Sequence, residues 1–174
     1  MKHLYQAFLG AAAQKGIHMK TLSLEIEVEG QHTTVLQVEA TIEAVRRAVR
    51  NLIGGVDVAL FEKDKDAELT SVEGRSAIAV VAHRCTKVMV SVGFSNEIKE
   101  THFSPSATVF RVLAWATGKR GFNLDDDAKA KATLILPGSE EPLPRDDIVG
   151  KHLIAGTCNF RADLTLKDFT NGER

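Results

Sequence analysis

The sequence contains the same order of predicted elements twice, and this internal repeat constrains the fold more than any other feature. Each copy reads strand, strand, helix, strand, loop, strand, and the two copies are offset by roughly 66 residues. A unit of that length is a small domain, so the 174 residues predict two domains rather than one. We place these domains at residues 20–84 and 85–169, with almost no linker around Arg84-Cys85-Thr86.

Hydrophobic periodicity defines the elements of each copy. In the first copy, apolar and polar residues alternate on both sides of a turn at Gly30-Gln31, which predicts a β-hairpin. A helix capped by Thr41 follows, with apolar residues at three- and four-residue spacing. The second copy repeats this order, with a turn at Ser95-Asn96-Glu97 and a helix after Thr108. Further strands are predicted at residues 56–61, 76–83, 132–136 and from Phe160 onward.

Composition describes an ordinary globular protein and excludes several classes of partner. Hydrophobic residues make up 44% of the chain, charged residues 26%, and the formal net charge is −1. This balance gives no reason to expect nucleic acid or an anionic membrane, and no apolar run approaches the roughly 18 residues that span a bilayer. The two cysteines, Cys85 and Cys158, lack metal-ligand spacing, and we interpret them as inert thiols in a reducing cytoplasm.

Motifs that make or break covalent bonds are absent from the sequence. It contains no P-loop, no dinucleotide-binding glycine pattern, no His-Glu-x-x-His and no nucleophile elbow. His83 and Cys85 come nearest to a metal-ligand pair, but a filling role is favoured, and Asp125-Asp126-Asp127 is interpreted as a solvated loop. Trp115 and Phe110 lie in the second helix, where core packing is favoured over a ligand platform. We predict no enzyme, no catalytic residue, no bound metal and no cofactor.

The two ends of the chain differ in character from the repeat. Residues 1–19 predict a helical arm with an apolar stripe of Leu4, Tyr5 and Phe8, which needs a surface on this chain or on another copy. A homo-oligomer is therefore one partner hypothesis, and a non-native extension before Met19 is the alternative. Residues 170–174 predict a flexible tail with Gly172 two residues from its end.

Particular residues of both copies resemble ubiquitin, whose fold has this order of elements and is called the β-grasp. Ser104-Pro105-Ser106-Ala107-Thr108-Val109 is similar to the start of the ubiquitin helix, and the Thr41-Ile42-Glu43 segment echoes it in the first copy. Leu134-Ile135-Leu136-Pro137-Gly138 is similar to a ubiquitin strand and turn. The resemblance covers about residues 20–172 and implies an α+β protein with two tandem ubiquitin-like β-grasp domains.

Two such domains in one chain resemble the tandem interferon-induced modifier of vertebrates, and still more the two-domain modifiers of bacterial antiphage operons. The resemblance implies a modifier that is trimmed to Gly172 by a deubiquitinase-like metalloprotease, which removes Glu173 and Arg174. An E1-like activating enzyme would then use ATP to adenylate the glycine. An E2-like conjugating enzyme would pass it to an amine of a target protein, for which a phage structural protein is one hypothesis.

The tail departs from the ubiquitin pattern in ways that bear on recognition. It offers Asp168, Phe169, Thr170, Asn171 and a single Gly172, whereas ubiquitin ends in two glycines preceded by arginines and leucines. These four residues predict recognition of the tail by a dedicated bacterial activating enzyme. Glycine suits the terminal position because it enters a narrow channel without a side chain and adopts any backbone angle that the channel requires.

A partner-binding surface is also implied by the resemblance to ubiquitin. Ile135 is expected at the centre of an exposed face, with Thr133 nearby. In the alternative register Ile135 is in the core and Leu134 and Leu136 are exposed, because a shift by one residue exchanges the two faces of a strand.

Two other functions share the fold. A non-covalent β-grasp adaptor is the main alternative, because function depends on the site and not on the fold. A sulfur carrier, which uses a terminal glycine thiocarboxylate, is a weaker one because the chain has two domains and residues that follow Gly172.

Overall fold

The computed structural model describes residues 20–29 and 33–166, which form two successive domains. The first domain contains strands β1 (Thr21–Val28), β2 (Thr34–Glu39), β3 (Ala59–Glu62) and β4 (Ala77–His83), and helix α1 (Ile42–Leu52). The second contains β5 (Val88–Phe94), β6 (Glu97–Phe103), β7 (Ala132–Ile135) and β8 (Asn159–Leu166), with helices α2 (Val109–Thr117) and α3 (Asp126–Lys131) and a 3-10 helix at Val149–His152.

The two sheets have the same topology. Their strand orders are β2-β1-β4-β3 and β6-β5-β8-β7, and in each sheet the first and last strands lie side by side in parallel. The other neighbours are antiparallel. A hairpin, a helix that crosses one face, and a last strand inserted beside the first define the β-grasp. The predicted α+β class with two ubiquitin-like β-grasp domains is confirmed.

Each of the two longer helices begins where the sequence predicts. The hydroxyl of Thr41 accepts a hydrogen bond from the Ala44 amide at 3.2 Å, and that of Thr108 accepts one from the Arg111 amide at 3.3 Å. Such N-caps satisfy an amide that has no partner inside the helix, and each contributes about 1 kcal/mol.

Each domain has its own hydrophobic core between its helix and one face of its sheet. Leu22, Leu24 and Ile26 of β1 pack with Val45 and Val49 of α1 in the first core. Val88, Val90 and Val92 of β5 occupy the same places in the second, together with helix residues such as Val112 and Ala116. The period of two in each strand therefore supplies one buried face, as the sequence predicts.

A third, smaller cluster joins the domains. Ala59, Phe61 and Val81 lie on the face of the first sheet that points away from α1, and they pack against Ile148 of the second domain. Phe61 and Val81 are each 2% exposed and Ile148 is 1% exposed. Burying side chains of this size stabilises by about 1.5–3 kcal/mol each, so this cluster holds the two domains together.

The loop after β3 also makes hydrogen bonds to the second domain. The Asp64 amide donates to the Ser106 carbonyl at 2.9 Å, and the Asp64 carboxylate accepts from the amide and hydroxyl of Thr108 at 3.0 and 3.1 Å. The hydroxyls of Ser104 and Ser106 both donate to the Lys65 carbonyl. Asp64 has φ +63°, a left-handed angle that aspartate tolerates better than most residues. The loop of the first domain therefore binds the residues at the start of α2 in the second domain.

Arg111 of α2 completes this junction. Its guanidinium donates to the Asp64 carbonyl at 3.1 Å and to the Asp66 carboxylate at 2.7 Å. The hydrogen bond from Arg111 lowers the pKa of Asp66, and the same contact raises the pKa of Arg111. Because Asp66 is largely exposed, we assign this pair an orienting role rather than a large stabilising one.

The prediction of two inert thiols is wrong. Cys85 and Cys158 form a disulfide, with Cα atoms 5.8 Å apart. The two residues precede β5 and β8, which are parallel neighbours with Met89 opposite Asn159, so the fold brings them together although 73 residues separate them. No local spacing could show this, because the proximity arises from the pairing of the first and last strands.

Two interpretations of single segments are also corrected. Asp125-Asp126-Asp127 does not form a loop: the Asp125 carboxylate caps α3 by accepting from the Ala128 amide at 2.8 Å, and the acidic first turn suits the positive end of a helix. Phe110 does not pack in the core, since its side chain is 55% exposed, whereas Trp115 is half-buried against the core as predicted.

Several predictions fall outside the described residues. They concern the helical arm at 1–19, the Gly30-Gln31 turn and the tail residues Asp168, Phe169, Thr170, Asn171 and Gly172. The domain limits 20–84 and 85–169 stay predictions; the two sheets occupy Thr21–His83 and Val88–Leu166. No helix in the described ranges is long and apolar enough to cross a membrane.

Truncating Ile148 tests the junction. Ile148→Ala removes the only side chain that the second domain inserts into the third cluster, and we expect a loss of about 2–5 kcal/mol in the free energy of unfolding, measured by denaturant titration. The matched control is Ile98→Ala, at a site that is 58% exposed, which should change stability by less than about 0.5 kcal/mol. Equal effects of the two variants would contradict the assignment.

Reducing the disulfide tests its contribution to the second domain. Because the bond closes a loop of 73 residues, we expect a reductant to lower the free energy of unfolding by about 2–4 kcal/mol. The comparison is thermal melting with and without reductant, with the double variant Cys85→Ser, Cys158→Ser as the control. A wild-type protein as insensitive to reductant as the double variant would show that the bond does not form.

Candidate functional site

Each sheet has one face that points away from its helix, and this face is buried in the first domain and partly exposed in the second. Strand register aligns them: Leu60 pairs with Ala82 in the first domain, and Leu134 pairs with Leu164 in the second. Phe61 is therefore the counterpart of Ile135. We call the face that contains Ile135 the outer face of the second sheet. The corresponding face of the first sheet is the one that Ile148 covers.

The structure distinguishes between the two registers considered for β7. Leu134 is 1% exposed and belongs to the second core, while Leu136 is half-buried against that core. Ile135 lies on the outer face, is half-buried, and sits opposite Asp163 of β8. The alternative, with Ile135 in the core and Leu134 and Leu136 exposed, is wrong.

Thr133 shares this face but offers little surface. It is 5% exposed and lies opposite Thr165 of β8, whose hydroxyl oxygen is buried and has no hydrogen-bond partner among the described residues. A partner on the outer face would therefore contact Ile135 more readily than Thr133. Whether either residue binds a partner stays a prediction.

A shallow depression lies beside Ile135 on the same face. Its volume is about 340 Å³, and it is formed where Gly93 of β5 faces Asp163 of β8. A Cβ atom at Gly93 would come within 2.9 Å of the Asp163 carboxylate, so glycine leaves the room that this side chain occupies. Ile98 and Arg161 form the exposed rim.

Sequence reasoning missed Gly93 and Ile98 as parts of this surface. A glycine inside an otherwise regular strand marks a close approach of neighbouring groups, and Val92-Gly93-Phe94 carries that signal. Ile98 has no comparable signal, because an apolar residue in an alternating strand is expected to be buried. It is 58% exposed since β6 is an edge strand.

Two ionisable residues on the covered face of the first sheet, His83 and Glu27, have pKa values that burial shifts. His83 is 1% exposed, its Nδ1 accepts from the Cys85 amide at 2.9 Å, and burial lowers its pKa. Burial likewise raises the pKa of Glu27. His83 is thus held neutral as part of the junction, and Cys85 is bound to Cys158, so these two residues do not form a metal site.

Asp147 organises the loop that carries Ile148. Burial alone would raise the pKa of Asp147, but hydrogen bonds from Lys151 at 3.0 Å and His152 at 2.9 Å outweigh it and lower the pKa. These contacts fix the turn that precedes the 3-10 helix. They hold the neighbouring residue, Ile148, in the position where it contacts the first domain.

The described part of the chain contains no group of three or more His, Cys, Asp or Glu side chains placed to hold a metal ion. The predicted conjugation site, Gly172, follows β8 in the sequence. This strand ends at Leu166, which pairs with Ala132 and is 43% exposed, and Gly172 follows six residues later. At about 3.3–3.6 Å per residue, an extended segment of that length spans at most about 20 Å.

Alanine substitutions at neighbouring positions test the orientation of β7. Leu134→Ala removes a fully buried side chain and should cost about 2–5 kcal/mol in the free energy of unfolding. Ile135→Ala, on the opposite face, should cost about 1 kcal/mol or less and leave the melting temperature close to that of the wild type. Thermal and chemical denaturation of the two variants side by side measure the difference, and the reverse order would contradict the register.

Comparison with known proteins bears on the second domain. No curated protein matches the chain. Residues 89–167 match the family model described as BilA ubiquitin-like domain 2, and this range runs from β5 through all of β8. The match covers less than half of the chain, and it supports a ubiquitin-like module at the position where the structure has its second β-grasp domain.

Proposed function

We propose that the chain is a two-domain protein modifier that is joined to target proteins through Gly172. The observation that carries the proposal is the course of β8. In a domain similar to a ubiquitin-like family, this central strand leads to Leu166 at the end of the sheet, and a glycine follows within about 20 Å of it. A carboxylate there can be brought to an enzyme while the folded domain stays outside the channel.

The chemistry requires that the glycine carboxylate be free. Glu173 and Arg174 follow Gly172, so a protease must first cut after the glycine. A deubiquitinase-like metalloprotease with a zinc-activated water fits this step. An activating enzyme then joins the carboxylate to the adenylate of ATP with release of pyrophosphate. A cysteine thiol of that enzyme displaces AMP and forms a thioester, and a target amine finally displaces the thiol.

The two domains contribute unequally to this function. The first domain has its outer sheet face covered by Ile148, and only residues 84–87 lie between its last strand and the first strand of the second domain. It can be recognised but cannot be conjugated. The second domain offers both the path to Gly172 and the outer face around Ile135, where we expect an activating or conjugating enzyme to bind. A bacterial, cytoplasmic setting and an antiphage role belong to the same proposal; because Cys85 and Cys158 form a disulfide, the cytoplasmic setting rests on the ATP-dependent activating enzyme and not on the cysteines.

The test is reconstitution with the protease and the activating enzyme encoded beside this protein. Intact-mass spectrometry should show loss of the Glu-Arg dipeptide, followed by an ATP-dependent linkage to the activating enzyme that a thiol reagent reverses. Gly172→Arg should abolish the linkage, because its side chain cannot enter a channel built for glycine. The matched control, Glu73→Arg, places an arginine on the exposed surface of the first domain and should behave like the wild type.

Tail recognition is measured in the same system. Phe169→Ala is expected to raise the KM of the activating enzyme for this protein at least tenfold with the fold unchanged. Thioester formation by the uncut chain or by Gly172→Arg would contradict the proposal. Saturable binding of the enzymes without any covalent product would instead favour the non-covalent adaptor.

A further inference from the structure

We propose that the Cys85–Cys158 disulfide is a site of reversible reduction by a dithiol, and that its reduction loosens the docking of the two domains. The reactant is a small or protein dithiol that reaches the surface of the second domain. The site uses neither Gly172 nor the outer face around Ile135. The inference goes beyond the proposed function, and it holds whether or not the chain is conjugated.

The first argument is that Cys85 is bonded to both domains. Its amide donates to Nδ1 of His83, in the last strand of the first domain, at 2.9 Å. Its sulfur is joined to Cys158, in the loop that precedes β8 of the second domain. Because only residues 84–87 connect β4 to β5, the disulfide fixes the middle of the connection between the domains.

The bond therefore sets the length of the hinge. While it is intact, Cys85 is held in the second domain, and only Arg84 stands between it and β4. After reduction, residues 84–87 can all change their backbone angles when the domains separate. Each residue has two soft dihedral angles, so the undocked state gains conformational freedom while the docked state keeps its contacts. A cross-link acts mainly by restricting the separated state, and its removal therefore favours undocking.

The second argument is the unequal exposure of the two cysteines. Cys158 is exposed, whereas Cys85 is 2% exposed and belongs to the core of the second domain. A thiolate that arrives from solvent therefore attacks the sulfur of Cys158, and Cys85 is the leaving group. The exchange can take place in the folded protein, because one end of the bond is already at the surface.

The exchange has two steps. The first thiolate of the dithiol forms a mixed disulfide with Cys158 and displaces the thiolate of Cys85, which takes up a proton. The second thiolate of the dithiol then attacks the dithiol's own sulfur in the mixed disulfide and displaces Cys158, which is also protonated. The dithiol leaves as an intramolecular disulfide, and the protein has gained two electrons and two protons.

The structure also provides for the reduced form. Sγ of Cys85 lies 3.9 Å from the carbonyl oxygen of Thr157, to which a thiol can donate a weak hydrogen bond that a disulfide sulfur cannot. Cys158 is at the surface, where water solvates its thiol. Both thiols therefore have a partner, and we expect the second domain to remain folded after reduction.

The amide of Asp64 reports docking directly. It belongs to the first domain and donates to the Ser106 carbonyl of the second at 2.9 Å, so separation of the domains exposes it to exchange with deuterium. The exchange is followed by NMR on the full chain, before and after reduction with dithiothreitol. We expect the Asp64 amide to exchange at least tenfold faster in the reduced protein. The Leu24 amide, inside the first sheet, should change less than twofold.

Two further measurements separate the steps of the argument. In the reduced wild type, iodoacetamide should modify Cys158 at least tenfold faster than Cys85, as measured by peptide mass spectrometry. The rate of reduction by dithiothreitol should not change at low urea concentrations, because the attack does not require unfolding.

A matched variant controls for the reductant. Cys85→Ser with Cys158→Ser should show the fast Asp64 exchange without reductant and no response to dithiothreitol. If this variant does not fold, the comparison of the oxidised and reduced wild type decides the matter, since it needs no substitution.

Four results would overturn the proposal. One is equal exchange of the Asp64 amide in the oxidised and reduced proteins, which would show that docking does not respond to the bond. Another is faster exchange of Leu24 together with Asp64, which would indicate unfolding instead of undocking. The third is a reduction rate that rises with urea in parallel with the unfolding rate. The last is modification of Cys85 as fast as that of Cys158, which would remove the assigned point of attack.

Discussion

The burial of Phe61 and Val81 beneath Ile148 is the interaction on which the arrangement of the two domains depends. Without it, the first sheet would expose an aromatic and a β-branched side chain on a face that has no helix to cover it. The hydrogen bonds near this cluster fix the orientation of one domain relative to the other. Asp64 accepts from both the amide and the hydroxyl of Thr108, so the loop of one domain is attached to the first turn of the helix in the other. Apolar burial supplies the stabilisation, and these hydrogen bonds select one relative orientation.

This junction makes two similar domains unequal. The shared topology gives each sheet an inner face for its own core and an outer face for something else. In the first domain the outer face serves the contact with the second. In the second domain the equivalent positions hold Ile135, Asp163 and Gly93, which form a half-buried surface with a depression. The same fold therefore uses its outer sheet face in two ways: the first domain buries this face against the second domain, and the second domain leaves it partly exposed.

Sequence reasoning recovers what local periodicity and capping determine. Thr41 and Thr108 start their helices as predicted, and Leu22, Leu24 and Ile26 occupy the core because a strand alternates its faces. Properties that depend on distant parts of the chain are not visible in this way. The Cys85–Cys158 bond requires knowledge that β5 and β8 are neighbours. Phe61 is buried because the second domain packs against its face of the sheet, whereas Phe110 is 55% exposed. Neither residue has a local sequence pattern that predicts this.

Arg111 has a consequence that follows from thermodynamic linkage. One guanidinium contacts Asp66 of the first domain and lies over the ring of Phe103, which in turn supports Trp115. Phe103 and Trp115 line a groove of about 510 Å³ between β6 and α2, so the orientation of the domains and the shape of this groove share a side chain. If an occupant of the groove favours the docked position of Arg111, docking must favour that occupant by the same factor, because coupling free energies are reciprocal. The two-domain arrangement would then be a device by which the first domain sets the affinity of a surface that it does not touch.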